Sequence, residues 1–500
     1  MISNHIDFMR RPLLAACLCS LLAAACGSVG SATAPLEVPD PLVEGPIMGP
    51  GQPWLQSTRF DLAEVGYQRR EYFISGKARG FSSDEPLSVD GHWTTRAEGS
   101  APYKSRIVVH MPIDQERFNG TVVVEWFNVS GGLDAAPDWT FMHTELIREG
   151  YAWVGVSAQY VGVEGGSTAI PGLGGLFLKG YNPARYSSLS HPGDTFSYDV
   201  FSQAAQAVRH PLGIDPLEGL KIKRIIAMGE SQSAFRLVTY VNGVHSLVQL
   251  FDGFLIHSRG GTGASLSQAP QSVLSVPAGA QIRGDLAEPV LTFQTETDLI
   301  SLGSLAARQK DSANFRLWEV AGTAHADTYS LIVGADDTGD SPDMANVIVN
   351  SKPIPGIIEC GSPINSGPQH FVLDAAIAAL DVWVRGGEAP PRAPWLEVAG
   401  EPAAYVLDEH GNARGGIRTS WVDVPVARLS GLGQTGASFC GIFGTTIPFD
   451  AAYLRALYPS HAVYVDAVTA STEAALAAGF LREADAILII EAAVQSDIGG

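Results

Sequence analysis

The chain has 500 residues, of which 46% are hydrophobic and only 17% charged; this balance excludes a disordered chain and suits a globular body. A formal net charge of −20, with no basic run to offset it, excludes nucleic acid as an electrostatic partner. The 54 Gly and 31 Pro imply many turns and long loops around whatever core forms.

The chain opens on a targeting segment. Arg10 and Arg11 precede an apolar run from Leu13 to Ala25, and Ala23, Ala24 and Ala25 lead into Cys26. The pattern resembles a bacterial lipoprotein signal, in which Cys26 becomes the lipidated first residue; the alternative is an ordinary secretory signal cleaved near Cys26. The apolar run is shorter than the ~20 residues of a membrane span. Residues 1–25 are therefore set aside as a signal peptide. The mature protein is expected to be exported, either periplasmic or held at the outer membrane by its lipid anchor, and otherwise secreted. No other membrane contact is expected, and the sequence does not indicate an oligomeric state. Of the five cysteines, Cys17, Cys19 and Cys26 belong to the signal. In an oxidising compartment the remaining two, Cys360 and Cys440, are expected to pair, with two buried free thiols as the alternative.

Residues 26–55, rich in Gly, Pro, Ala and Ser, read as a flexible tether. Strand-like stretches follow at 67–76 and 104–111. The run 121–127 (TVVVEWF) is continuously β-branched and aromatic, as in a strand buried on both faces. Helical spacing over 139–149 stops at Gly150, and 151–158 (YAWVGVSA) is the next buried strand. The long Gly-rich stretch 159–192 is irregular, and loops of this length inside a domain are usually functional. A helix at 199–209, a strand at 224–228 (RIIAM), a helix to about 241, and strands at 254–257 and 290–294 come next. A short helix at 304–310, a strand at 315–320 and a helix at 375–385 complete the alternation. Such alternation implies a mainly parallel central sheet with helices on both faces, an α/β fold occupying 56–392. After Pro390 the pattern changes, with helical stretches at 451–457, 463–478 and 483–494. Residues 393–500 are read as a C-terminal lobe packed on the sheet domain.

The chemistry lies at strand ends. A serine hydroxyl is a poor nucleophile until a base takes its proton. The α/β-hydrolase fold places such a serine on a sharp strand-to-helix turn, usually G-x-S-x-G. Here strand 224–228 runs into Gly229-Glu230-Ser231-Gln232-Ser233 and then a helix. Ser231 is the candidate nucleophile, and Ser233 stands where the second glycine is usual. Chain order in this fold is Ser, acid, His. Asp298, just past strand 290–294, is the candidate acid and Glu296 its competitor; the one that loses is expected to be a solvated loop carboxylate. His325, on the loop after strand 315–320, is the candidate base. His257 also follows a strand, but that strand precedes the acid loop, so it is read as a core or pocket-wall residue. Two N–H donors should face the developing oxyanion: the backbone of Gln232 at the helix start, and that of Val129 in the Asn128-Val129-Ser130-Gly131-Gly132 turn. No metal-binding signature and no glycine-rich phosphate loop occurs, so no metal and no cofactor is expected.

VVVEWFNVSGG, GESQS, LWEVAGTAH and AAIAALDVWVRGGEAPP resemble a family of bacterial α/β-hydrolase-domain proteins, mostly secreted or periplasmic and esterase-like. The resemblance implies a serine carboxylester hydrolase acting on a small-molecule ester without a cofactor, and it implies no particular ester. Two other readings compete: an acyltransferase on the same three side chains, and a non-catalytic binding lipoprotein on a hydrolase scaffold. Pocket walls are expected from 159–192, 257–288 and the C-terminal lobe, with Tyr160, Phe177 and Tyr181 suited to an apolar or aromatic ester.

Overall fold

The run 121–127 settles how the molecule is layered. In the computed structural model, which describes residues 35–169 and 174–500, it forms a central strand with every residue buried. Its side chains alternate between two cores. Val122, Val124 and Trp126 point into one, and Val123 into the other. A strand with apolar residues on both faces must be covered on both, so helices lie on either side of the sheet.

Among the described residues, ten strands make that sheet. They are β1 (Leu42–Glu44), β2 (Tyr67–Ser82), β3 (Arg96–Pro112), β4 (Thr121–Trp126), β5 (Ala152–Val156), β6 (Leu212–Gly213), β7 (Arg224–Glu230), β8 (Gly253–His257), β9 (Val290–Thr295) and β10 (Phe315–Val320). Their order across the sheet is β10-β9-β8-β7-β4-β5-β3-β2-β1-β6. From β10 to β5 all pairings are parallel, whereas β3 pairs antiparallel with both β5 and β2. The fold is therefore the α/β-hydrolase fold expected from the sequence.

On one face, α1 (Pro137–Arg148) shares a core with the C-terminal helices; on the other, α2 (Ser197–Arg209) and α3 (Gln232–Tyr240) share a second. Glu125 shows how one strand positions a helix. It is buried in β4, where an isolated charge would be costly. Its two oxygens accept hydrogen bonds from the N–H groups of Asp138 (3.0 Å) and Trp139 (2.9 Å) at the start of α1, and from Trp153 Nε1 (2.9 Å). The helix has no side-chain cap of its own, because Ala136 occupies the N-cap position. Glu125 supplies the acceptor from the neighbouring strand, at the end of the helix that favours negative charge.

Residues Glu37 to Gly500 form one compact unit. Val468, Ala475, Ile489 and Ala493 from the end of the chain are buried in the same core as α1. The C-terminal residues are thus packed on the sheet, as expected.

The tether reading of 26–55 needs correction. Residues 1–34, including the signal segment and Cys26, lie outside the described residues. From Glu37 onward the chain belongs to the body: β1 pairs with β2 and Val43 is buried. Polar groups of β2 and of the helix Pro183–Tyr186 anchor the stretch that follows. Arg185 donates to the carbonyls of Ile47 (2.8 Å) and Gly51 (2.7 Å), and the Trp54 N–H donates to the Tyr186 hydroxyl (2.9 Å). A segment rich in Gly and Pro looks flexible in composition, yet its carbonyls are satisfied by partners more than 130 residues away.

The stretch 159–192 is less irregular than expected. Its described parts contain the helices Tyr160–Glu164, Leu178–Tyr181 and Pro183–Tyr186. Among the described residues no helix is long and apolar enough to cross a membrane, and no cluster of His, Cys, Asp and Glu is arranged to hold a metal ion.

Candidate active site

The turn after β7 carries the first group. Ser231 has φ 56° and ψ −119°, a left-handed backbone that a non-glycine residue rarely adopts. The turn is held from both sides: the Ser231 N–H donates to the His257 carbonyl on β8 (3.0 Å), and the Ser231 carbonyl accepts from the Phe235 N–H in α3 (3.1 Å). Gly229 is required by packing. A Cβ there would lie 3.0 Å from Ser233 Cβ and 3.2 Å from Leu237 Cδ1. Strand and helix approach this closely only because small residues face each other at 229 and 233.

β9 and β10 carry the other two groups. Asp298 lies on α4 (Glu296–Ile300), directly after β9, and His325 on the loop after β10. Asp298 is the N3 residue of a capping box that Thr295 opens as N-cap. Its Oδ2 accepts from the Thr295 N–H at 2.7 Å, which fixes the carboxylate. Its Oδ1 lies 2.6 Å from His325 Nδ1, and His325 Nε2 lies 2.7 Å from Ser231 Oγ. The three side chains form one hydrogen-bonded series, with His325 and Asp298 both buried. The His325 N–H donates to the Thr297 hydroxyl (3.2 Å), which itself donates to the Gly431 carbonyl (2.7 Å).

Burial disfavours a charged imidazole at His325, but Glu230 and Asp298 outweigh it and hold its pKa above the ordinary value. Glu230, between the glycine and the serine of the turn, is itself buried. Its Oε1 is 3.3 Å from His325 Nε2, and its Oε2 accepts from Asn128 Nδ2 at 3.1 Å. Burial pushes its carboxyl pKa up to about 7.

Glu296 takes no part in the series. It is buried, not solvated as expected for the competing acid, and burial raises its pKa to about 7. It accepts from the N–H groups of Gly322 and Gly431. The reason is tertiary: residues from the C-terminal part of the chain close over the acid loop.

Gln232 opens α3, directly after Ser231. Val129 follows β4 and is buried; its neighbour Asn128 donates to the Glu230 carbonyl (3.3 Å), which sets this turn beside Ser231. His257 is a core residue. Its Nδ1 is 2.8 Å from Asp138 Oδ1 and its Nε2 is 2.8 Å from Gln369 Nε2. Cys360 and Cys440 are joined by a disulfide. Tyr181 stacks on Trp54 with ring centroids 3.8 Å apart, and Tyr160 meets His191 edge-on at 6.2 Å; both tyrosines are exposed. A cavity of about 330 Å³ among the C-terminal residues, lined by Trp421, Tyr464 and Ile489 among others, includes none of the residues at Ser231.

Sequence reasoning missed Glu230, Asn128 and Thr297. The position of Glu230 beside the nucleophile candidate was a usable signal, but its neighbours come from other strands.

A family model described as "Alpha/beta hydrolase domain" matches residues 38–491. The chain belongs to this family. The matched range takes in both the sheet and the C-terminal residues. No curated protein matches this hydrolase. Solved structures similar to it include a dienelactone hydrolase from Anabaena variabilis, 14% identical, covering 52% of this chain and 92% of that one with a TM-score of 0.27. An α/β serine hydrolase without lid from Xanthomonas campestris is 12% identical, covering 50% and 85% with a TM-score of 0.26. Fungal esterases from Rhizomucor miehei are represented at 11% identity, covering 63% and 85% with a TM-score of 0.27.

Proposed function

We propose that this hydrolase cleaves carboxylic esters through an acyl-enzyme on Ser231. The observation that carries the reading is the hydrogen-bonded series Ser231 Oγ, His325 Nε2, His325 Nδ1, Asp298 Oδ1, at 2.7 and 2.6 Å, with the serine on a left-handed turn.

His325 Nε2 takes the Ser231 proton as Oγ attacks the ester carbonyl. Asp298 fixes the ring with its proton on Nδ1 and stabilises the imidazolium that forms. The N–H groups of Gln232 and Val129 receive the oxyanion, and the start of α3 adds favourable dipole charge. The imidazolium then returns its proton to the leaving alcohol. Water, activated by the same nitrogen, attacks the acyl-enzyme and releases the acid. A raised His325 pKa suits this role, since the ring must hold a proton between the two transfers.

Ser231→Ala in otherwise intact protein, assayed on an ester panel varying in acyl length and aromaticity and with a fluorophosphonate probe, tests the reading. The expected result is loss of turnover and of covalent labelling with unchanged circular dichroism; substantial residual turnover overturns it. We also propose, from the N-terminal pattern of Arg10 and Arg11, the apolar run to Ala25 and Cys26, that the enzyme lies outside the cytoplasm, anchored through a lipid on Cys26. Activity in the host membrane fraction that becomes soluble in Cys26→Ser is the expected outcome.

A further inference from the structure

Two carboxylates face the candidate base, and the mechanism above uses one. Asp298 lies at Nδ1, while Glu230 Oε1 lies 3.3 Å from Nε2, the nitrogen that also faces Ser231 Oγ. Glu230 is not placed there by chance rotation. It ends β7, its residue is buried, and Asn128 Nδ2 reaches both its Oε2 (3.1 Å) and its carbonyl (3.3 Å). Asn128 in turn starts the turn that carries Val129. One side chain thus ties the oxyanion-side turn to the carboxylate and to the backbone one residue before the nucleophile.

We propose that Glu230 is a positioning residue for His325, stabilising from the Nε2 side the imidazolium that forms when Ser231 gives up its proton. This rests on the ester-hydrolase reading and deepens it. The serine proton moves to Nε2. The new N–H lies between Oγ and Glu230 Oε1, and the proton later passes to the leaving alcohol. Glu230 begins and ends the cycle ionised, so no further proton is required. An imidazolium flanked by acids at both nitrogens is held more firmly than one with a single partner.

The same geometry sets a pH dependence. The titratable groups facing Glu230 are His325 from the loop after β10, His257 from β8, Asp138 from α1 and Asp298 from α4. Burial raises the Glu230 carboxyl pKa to about 7, so the support is present in alkaline solution and fades as pH falls through neutrality. An ionised Glu230 also raises the pKa of His325, which places the acid limb of kcat/KM at higher pH than a lone Asp–His pair would.

Glu230→Gln removes the charge and keeps the shape. In that variant the acid limb is expected to move down by about one pH unit, and kcat to fall roughly tenfold at pH 8 with KM within about twofold, one pH unit of His325 basicity corresponding to a factor of ten. Glu230→Asp, which keeps the charge at shorter reach, is expected to restore part of the shift. A residue that only supports the fold would lower activity without moving the limb. Both variants are first checked for fluorophosphonate labelling of Ser231. A labelled Glu230→Gln with the wild-type pH profile and kcat overturns the role of Glu230 alone. Failure of the wild-type protein to label overturns the hydrolase reading and this inference with it. If Glu230→Gln does not fold, the Glu230→Asp limb decides: a shift of about half a unit supports the proposal and an unchanged limb overturns it.

Discussion

Glu296 Oε1 accepts a hydrogen bond from the Gly322 N–H at 2.6 Å, which joins the acid loop to the loop that carries His325. Its other oxygen accepts from the Gly431 N–H at 2.9 Å, and its carbonyl accepts from the Tyr405 hydroxyl at 2.6 Å. Glu296 is therefore a structural clasp, and Asp298, two residues on, is the carboxylate at the imidazole. The two substitutions should separate cleanly. Asp298→Asn is expected to lower kcat by several orders of magnitude, since a wrong tautomer at this position costs ~10⁴ in a serine protease. Glu296→Gln places an amide N–H against a backbone N–H and should lower stability by about 1–3 kcal/mol while kcat stays within about tenfold. Steady-state kinetics and denaturant unfolding of both variants check this. A crippled kcat in Glu296→Gln beside a near-normal Asp298→Asn would reverse the assignment.

Asp327 should make stability fall as pH rises. Burial pushes its carboxyl up to about 7; Oδ1 accepts from the Ser330 N–H at 2.9 Å, while Oδ2 is buried with no partner. A carboxyl whose folded pKa lies above its unfolded value binds its proton more tightly in the native state. Its contribution is complete below the ordinary carboxylate range and is lost as pH rises through about 7. Asp327→Asn, which cannot ionise, is expected to raise Tm at pH 8 by about 2 °C or more and to give a clearly smaller gain at pH 5, where only the first part of that loss has occurred. Calorimetry at the two pH values and one ionic strength reads the difference, and an equal effect at both would contradict it.

The disulfide spans a separation of 80 residues and links the segment after 350 to the one before the strand Thr445–Pro448. In the chain-entropy model a loop of this size contributes about 4–5 kcal/mol by restricting the unfolded chain. Replacing both cysteines by serine should lower the denaturation midpoint accordingly. A reducing agent should reproduce the effect in the wild-type protein and leave the double variant unchanged.

The central sheet was legible because its strands are buried on both faces and read as short runs rich in apolar, β-branched and aromatic residues, with few polar residues between them. β10 falls at 315–320 in both sequence and structure, and β4, β5, β8 and β9 fall within about two residues of expectation. β3 starts well before its expected start because Arg96 to Ser100 are exposed and carry no apolar pattern; β2 runs on to Ser82 with Ala78 and Phe81 buried, where Lys77, Arg79 and Gly80 break up the apolar signal. β1 and β6 were missed for a similar reason: they are three and two residues long and are defined by partners distant in sequence. At the site, Ser231, Asp298 and His325 could be located because each sits at a strand end in a fixed chain order. The burial of Glu296 could not, since Gly431 and Tyr405 cover it from more than 100 residues away.

A buried ion network should decide whether residues 47–54 stay on the body. Glu71 of β2 holds Arg185 through Oε2 (Nε at 2.6 Å) and reaches both Arg106 Nη1 (3.2 Å) and the Tyr186 hydroxyl (2.9 Å) through Oε1. Arg106 also pairs with Asp134 at 2.6 Å, so it keeps a carboxylate if Glu71 is neutralised. Arg185 does not: its other partners here are the carbonyls of Ile47 and Gly51, the same groups that fix the N-terminal segment. Removing one member of a buried pair leaves an uncompensated charge and typically costs about 3–5 kcal/mol. Glu71→Gln is therefore expected to lose stability on that scale, because the guanidinium must either stay buried without a carboxylate or swing out and release the segment. In the second case limited proteolysis should cut within 37–55 well before the body unfolds, while the wild-type protein resists. A loss below about 1 kcal/mol with unchanged cleavage would mean that β1 pairing and Trp54 packing, and not this network, hold the segment in place.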